Sequence, residues 1–416
     1  MELCSFLPAR IQAGWASVGR GSAVEDCTVK LTLILGAVAA LALLGAEPSQ
    51  LAVAPQAKAP GTIRPAPPSR YTVPRPFVLV RTSSELRAAL ERRTPTTIVL
   101  RRGTYDADRA FVNAYGHRLY AGSLGKAVLT AGLRLGIDDE RPGGLVRGVV
   151  FDVRDHAKTV DGVTLLVLSP GVRVLDVSLR GHGIIRSGLI VREPEGFWGT
   201  RLVVRDFTDY GVLVDANNRD RTSLARPFEL RDLDVAGIKR PVPGSSQGRG
   251  EACVWVGNPG VVQRVRARRC GWTGLWTGTA ATNGRFTGID VDETRTGVYL
   301  EHFTRQSTFE RVRVGRRVRV GLIAEWADPD SGGVPGSIDN VIQDSRFESW
   351  LAGVYLDEGT TRTVIRRSTF VGQRWAAIGD YEGVDNAYLA NDYRGIARGA
   401  VPVTREHIRT ATEAGG

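Results

Sequence analysis

The chain has 416 residues, 42% of them hydrophobic, and a formal net charge of +11 that is almost all arginine, since lysine occurs only at positions 30, 58, 126, 158 and 239. Arginine-rich, lysine-poor usage fits a GC-rich genome before it fits a function, and the bland reading of the charge is a solvated basic surface. No nucleic-acid reader motif accompanies the charge, which argues against a nucleic-acid partner, and no cysteine spacing resembles a zinc site.

In chain order, Met1–Thr28 is a polar prefix holding Arg10, Arg20, Glu25 and Asp26. Lys30 and the sixteen apolar residues Leu31–Ala46 (LTLILGAVAALALLGA) then read as an export signal, because a membrane span needs about 20 residues. If translation starts near Val29, this is a cleaved signal. Otherwise the segment serves as an uncleaved single-pass N-terminal anchor, and a buried core helix is the third reading. The absence of a cysteine after the run argues against lipid modification. Residues 47–76 carry Pro48, Pro55, Pro60, Pro65, Pro67, Pro68, Pro74 and Pro76 among alanines, the composition of an extended spacer. The expected organisation is 1–46 prefix and export signal or anchor, 47–76 linker, 77–396 one folded domain and 397–416 tail. Within that tail, Thr404–Ala414 can form a last helix.

The folded part opens with FVLVRTSSELRAALERRTPTTIVLRRGTYD, Phe77 to Asp106. It reads as a strand, then a short amphipathic helix over Ser83–Arg93 with Leu86 and Leu90 on one face. A second strand and a Gly-Thr-Tyr turn follow. Ser84 and Glu85 suit the helix start.

From Gly188 onward one pattern returns: a small residue, three mostly apolar residues, then an acid. The copies are GVLVD (Gly211–Asp215), GVYLE (Gly297–Glu301), GLIAE (Gly321–Glu325), GVYLD (Gly353–Asp357) and the weaker AAIGD (Ala376–Asp380). GLIVR from Gly188 and GLWTG from Gly274 keep the frame without the acid, and ACVWV from Ala252 keeps the apolar core. First residues recur at 22 to 24, with two longer intervals of 41 and 32. Each copy is preceded by a second alternating run, such as VRVLDVSL (Val172–Leu179), VVQRVRAR (Val261–Arg268) and VIRRSTFV (Val364–Val371). Alternation with many β-branched residues predicts short strands with one buried face. No sustained helical stripe is present. One such unit cannot bury its own apolar face, so the copies must stack into a solenoid. Glycine at the corner supplies positive φ or close backbone approach, and Asn340, leading its strand, can pair through its amide at a turn. Either Val212, Val298, Leu322 and Val354 or the next column, Leu213, Tyr299, Ile323 and Tyr355, faces the core.

With these elements in place, the chain resembles the right-handed parallel β-helix proteins of the pectate-lyase-like superfamily from about Phe77 to Ile396. The resemblance implies an all-β fold: a right-handed parallel β-helix of about ten coils, with the short N-terminal helix capping the first coil. It hands over no activity, because that superfamily hosts lyases, hydrolases, epimerases and binders. The GHG at Gly181–Gly183 is similar to an element of polygalacturonases, but its accompanying motifs are not found in order, and His182 reads as a turn residue.

Stacking places the terminal acids in a column, so Glu301, Glu325, Asp357 and Asp380 are the candidate catalytic residues. Adjacent strands lie about 4.8 Å apart, so neighbouring acids would sit about 5 Å and alternate ones about 10 Å apart, separations that bracket those of retaining and inverting glycosidases. Crowding should raise at least one of their pKa values. The column can also hold a hard cation such as Ca²⁺, as in the calcium-dependent lyases of the superfamily. Trp326, Tyr381 and His302 are candidate substrate contacts, and the Trp326–Ser337 insertion is placed to wall a groove. The structural alternative is that these acids cap turns, face water or are neutralised by Arg295, Arg305 or Arg362. Cys253 and Cys270 lie one coil apart. Two buried small side chains are the favoured reading and a disulfide the alternative. The expected function is an exported protein that binds or cleaves a polysaccharide, possibly acidic, or a cell-envelope glycan; a noncatalytic surface β-helix is the alternative.

Overall fold

The computed structural model describes residues 72–122, 125–136, 143–215, 224–238, 252–278, 281–301, 303–324, 336–357, 359–381, 383–396 and 403–404, the last two in backbone only. The predicted export signal and most of the linker lie outside these residues. So do His302, Glu325, Trp326 and most of the tail.

The chain winds as a right-handed parallel β-helix of about 11 turns, one more than expected. Among the described residues two sheets run its length. The front sheet stacks 12 parallel strands, from Phe111–Asn113 to Val403–Thr404. The back sheet has 21 strands in two ladders joined through the long strands Trp198–Arg205, Phe228–Ile238, Gly260–Cys270 and Arg285–Asp292. Every strand pairs with its counterpart one coil away, as in Val298 with Leu322 and Leu322 with Val354.

The entry helix spans Ser83–Leu90 and ends three residues earlier than predicted. Its N-cap is Thr82, not Ser84: Thr82 Oγ1 accepts from Glu85 N at 3.2 Å, and Glu85 Oε2 accepts from Arg81 N at 2.6 Å. Leu86, Ala89 and Leu90 are buried against the first coils, so the helix covers an end of the core that would otherwise be open.

The ambiguous inward column is now assigned. Val212, Val298, Leu322 and Val354 are fully buried in the core, and their successors point outward. The glycines before them are needed for close approach, not for positive φ. A β carbon on Gly297 would strike the carbonyl oxygen of Gly321 and the Val314 side chain. In two copies that site is filled by Cys253 and Ala377, because the ladder pairs Ala252 with Thr273 and Ala352 with Ala376. The ACVWV and AAIGD copies are therefore one residue out of the frame read from sequence.

Aromatic rings stack inside the solenoid, Phe286 on Phe309 at 4.6 Å and Phe347 on Phe370 at 5.3 Å between centroids. Asn340 is buried at its turn, donating to Thr304 O at 2.8 Å and accepting from Ser307 N at 3.1 Å. Cys253 and Cys270 form a disulfide with Cα atoms 5.5 Å apart, which corrects the favoured reading of two separate thiols. They come from consecutive strands of one coil whose side chains both point into the core, where the two sulfurs meet.

The back-sheet corner carries a second column that the sequence reading missed. Asp176, Arg201, Asp232, Arg264, Arg311, Asp344 and Arg367 all adopt φ between 49° and 57°. Acid and base neighbours pair side-on between coils. Arg264 holds Asp232 through Nε and Nη2 at 2.5 and 2.9 Å, and Arg367 holds Asp344 at 2.8 Å through each. These arginines are half exposed and each is matched by an acid of a neighbouring coil, so the pairs leave the net charge of +11 unchanged.

Candidate functional site

The residue before each acid-column position pairs in register along the front sheet: Val191, Val214, Val256, Thr277, Leu300, Ala324, Leu356 and Asp380. The following residues, Arg192, Asp215, Gly257, Gly278, Glu301, Asp357 and Tyr381, each donate a backbone N–H to the coil before. They form one rim of the front sheet's outer face. Glu301 and Asp357 share this rim two coil steps apart, with the intervening position, Glu325, outside the described residues.

Asp380 does not share it, which corrects the predicted column. It aligns with the inward residue Leu356, is 8% exposed and accepts hydrogen bonds from Tyr388 Oη, Asn386 Nδ2 at 3.1 Å and Gly383 N at 3.0 Å. It secures the corner after the last full front strand. Tyr381 takes the rim position instead and is 37% exposed. His302 and Trp326 lie outside the described residues. His182 is a turn residue with φ 55° whose ring meets the Asp152 carboxylate. Asp339 holds Arg362 at 2.6 Å, so that arginine serves a corner pair and not the acid rim.

Beside the rim runs a column that sequence reading named only as a possible core face. Leu166, Ile190, Leu213, Trp255, Trp276, Tyr299, Ile323 and Tyr355 succeed one another in register on the outer surface. Trp255, Trp276 and Tyr355 are half-buried, and Tyr299 is buried beneath its neighbours. Trp272 joins from the preceding turn. Its ring centroid lies 4.8 Å from that of Trp276 and 4.9 Å from that of Tyr299, and Trp276 meets Tyr299 edge-on at 5.2 Å. Trp375 lies 5.8 Å from Tyr355 in the same way. The sequence signal was available: the third residue of successive copies is aromatic or aliphatic although it points outward.

Rim and stripe are bonded together. Trp276 Nε1 donates to Glu301 Oε2 at 3.1 Å, and Tyr355 Oη donates to Asp357 Oδ1 at 3.3 Å. Burial, and then the nearby carboxylates of Asp209, Glu301 and Asp215, push the Tyr210 hydroxyl up. Burial and Asp357 do the same for Tyr355. Along the other rim, the Arg319 and Arg374 guanidiniums lie 5.6 and 5.8 Å from the centroid of Trp350. The arrangement is an aromatic floor lined by carboxylates on one side, a surface on which a sugar ring can stack and donate hydroxyl protons.

Calcium needs six to eight oxygens. Among the described residues no group of three acidic, histidine or cysteine side chains converges as a metal site would require. The described carboxylates therefore do not make a calcium cage.

No family model and no curated protein matches the chain in sequence. Solved structures do match in fold. A surface adhesin of Streptococcus pneumoniae, PfbA, superposes with TM-score 0.55 at 9% identity, over 77% of this chain and 88% of that one. The A-module of the Azotobacter vinelandii mannuronan C-5 epimerase AlgE4 gives 0.51 at 13% identity, over 78% and 100%. A mannuronic acid-specific polysaccharide lyase of family 6 from human gut microbiota gives 0.50 at 10%, over 81% and 94%. At these identities the likeness establishes the β-helix and leaves the chemistry to this chain's own residues.

Proposed function

We propose that this chain is an exported β-helix protein whose front face binds a polysaccharide, with Glu301, Glu325 and Asp357 as the candidate groups for cleaving it. The observation that carries the reading is the outward aromatic column bonded to the carboxylate rim through Trp276–Glu301 and Tyr355–Asp357. Half-buried aromatic rings on the outer face of a rigid scaffold suit stacking against sugar rings. Two coil steps separate the strands bearing Glu301 and Asp357, about 10 Å, which suits a pair that activates water on the far side of a bond better than a nucleophile pair.

Export is supported by the apolar run Leu31–Ala46 and by the Cys253–Cys270 disulfide, since such bonds persist in oxidising compartments. Among the described residues no helix is long and apolar enough to cross a membrane.

The second reading is a noncatalytic glycan binder, favoured by the service of Glu301 and Asp357 as acceptors that fix aromatic rings. One experiment separates the two. The purified chain is incubated with a polysaccharide panel while reducing ends, unsaturated-uronate absorbance and gel retardation are followed. Retardation with new ends that vanish in Glu301→Gln supports cleavage, retardation alone supports binding, and neither with any polymer rejects the glycan reading.

A further inference from the structure

The end of the linker runs over the outer face of the back sheet. Residues 72–77 lead into the first strand, Val78–Val80, which pairs with Thr97–Leu100 and through it with Arg118–Ala121. Val73 does not stay at the level of that first strand. It packs on a cluster of Tyr120, Leu145 and Leu175, contributed by three successive later coils. Those side chains point outward, since Leu119, Val146 and Val174 fill the core beside them. Even so, Tyr120 is only 6%, Leu145 9% and Leu175 8% exposed. From Phe77 back to Val73 the chain therefore climbs along the solenoid axis towards later coils, crossing at least two coil steps, about 10 Å.

We propose that Arg64–Tyr71 (RPAPPSRY) continues this path as a strap on the back sheet, with Tyr71 seated on Trp198. Leu145, Arg173 and Trp198 succeed one another in register. Trp198 thus lies two coil steps past Leu145, about 10 Å along the same line. Two residues of extended chain back from Val73 cover about 6 Å of it, and the tyrosine side chain reaches the rest. Trp198 points outward and stays 36% exposed, although the Arg173 guanidinium lies 5.2 Å from its ring centroid. A second aromatic ring suits that surface. Pro65, Pro67 and Pro68 hold the segment extended before it docks, so little conformational entropy is lost on docking. The strap makes the last part of the predicted spacer a piece of the fold. It also fixes where the N-terminal portion leaves the solenoid: on the back sheet, a different face from the aromatic stripe. Neither point depends on the glycan reading.

The test is trypsin cleavage of the whole chain, followed by mass spectrometry. Trypsin cuts after Arg70, but not after Arg64 or Arg75, each of which precedes a proline. The rate at the Arg70–Tyr71 bond is compared with that of the same bond in a free peptide of residues 64–77, so that the local sequence cancels. Protection of at least about tenfold in the chain is the expected result, because cleavage tracks the small population in which the strap is open. Trp198→Ala should remove most of that protection. Tyr71→Ala, measured against its own variant peptide, should do the same, and it leaves the solenoid itself untouched. Protection below about twofold overturns the strap in favour of a free spacer. Protection that survives either variant overturns the seat at Trp198, and with it the proposal. Protection that falls on dilution, with a dimer seen in sedimentation, assigns the surface to a second copy of the chain and overturns the proposal as well.

Discussion

Single residues at the back-sheet corner decide more than a turn position suggests. An L-residue in the left-handed region is disfavoured, yet Asp176, Arg201, Asp232 and Arg264 all accept it in successive coils. What compensates is the ladder of paired charges with the acids beneath: the Asp176 carboxylate is fully buried and that of Asp232 nearly so. Arg201→Ala takes both of its nitrogens off the buried Asp176 carboxylate. It should therefore lower stability by about 1–3 kcal/mol, read as a shift in urea midpoint, and Arg201→Lys should not restore it, because an ammonium cannot reproduce the fork. An unchanged midpoint would show that Arg147, 3.0 Å from the same carboxylate, suffices alone. The outer pairs set a pH dependence. The Arg362 and Arg367 guanidiniums hold the Asp339 and Asp344 carboxyls below the usual carboxylate range. Each titrates lower folded than unfolded, so the unfolded chain takes up protons first as the pH falls. Their contribution is complete above about pH 4 and is lost below it. These side chains are over a third exposed, so each contribution is small. Asp344→Asn should flatten the acid limb of a stability-versus-pH curve, and an identical limb would exclude the pair as a source.

At the scale of elements, the front strand is a five-residue device: a small residue that lets the next coil approach, then inward, outward and inward residues, then the rim. Leu322→Ala, from the inward column, should cost about 2–5 kcal/mol because the packed coil cannot close the cavity. Ile323→Ala, one residue on and facing outward, should cost distinctly less by the same denaturation measurement. Similar costs would mean that the register is misassigned. Register also separates two acids that sequence had joined. Asp380→Asn should lower stability, since it disturbs the acceptor shared by Tyr388, Asn386 and Gly383, and should leave glycan retardation intact. Glu301→Gln should do the reverse. Loss of retardation in the Asp380 variant at a temperature where it remains folded would return that residue to the site.

Over the whole molecule, stability comes from neighbour-to-neighbour stacking, so the ends and the covalent link carry disproportionate weight. The helix Ser83–Leu90 closes one end of the core. The disulfide closes a loop of 17 residues at mid-length, between two strands of one coil. In the chain-entropy account such a loop is worth about 3 kcal/mol. Paired substitution of Cys253 and Cys270 by alanine should lower the unfolding midpoint accordingly, and reductant should reproduce the loss only after unfolding, because both sulfurs are buried. A midpoint indifferent to the pair would assign them a packing role alone.

The sequence by itself determined the solenoid. A period near 23 with alternating apolar strands leaves stacking as the way to bury each face, and Gly297, Gly321 and Gly353 mark the corners because a side chain there meets the next coil's backbone. It also located the rim, at Glu301 and Asp357. Tertiary structure decided what depends on a one-residue phase. A small residue opens every copy, so Ala376 looked like the corner until the ladder put Ala377 there and turned Asp380 inward. It decided too that Trp255, Trp276 and Tyr355 form a floor, since an apolar residue looks the same in sequence whether it faces the core or the outside. And it decided the disulfide and the charge ladder, because both join residues that only the winding of successive strands brings side by side.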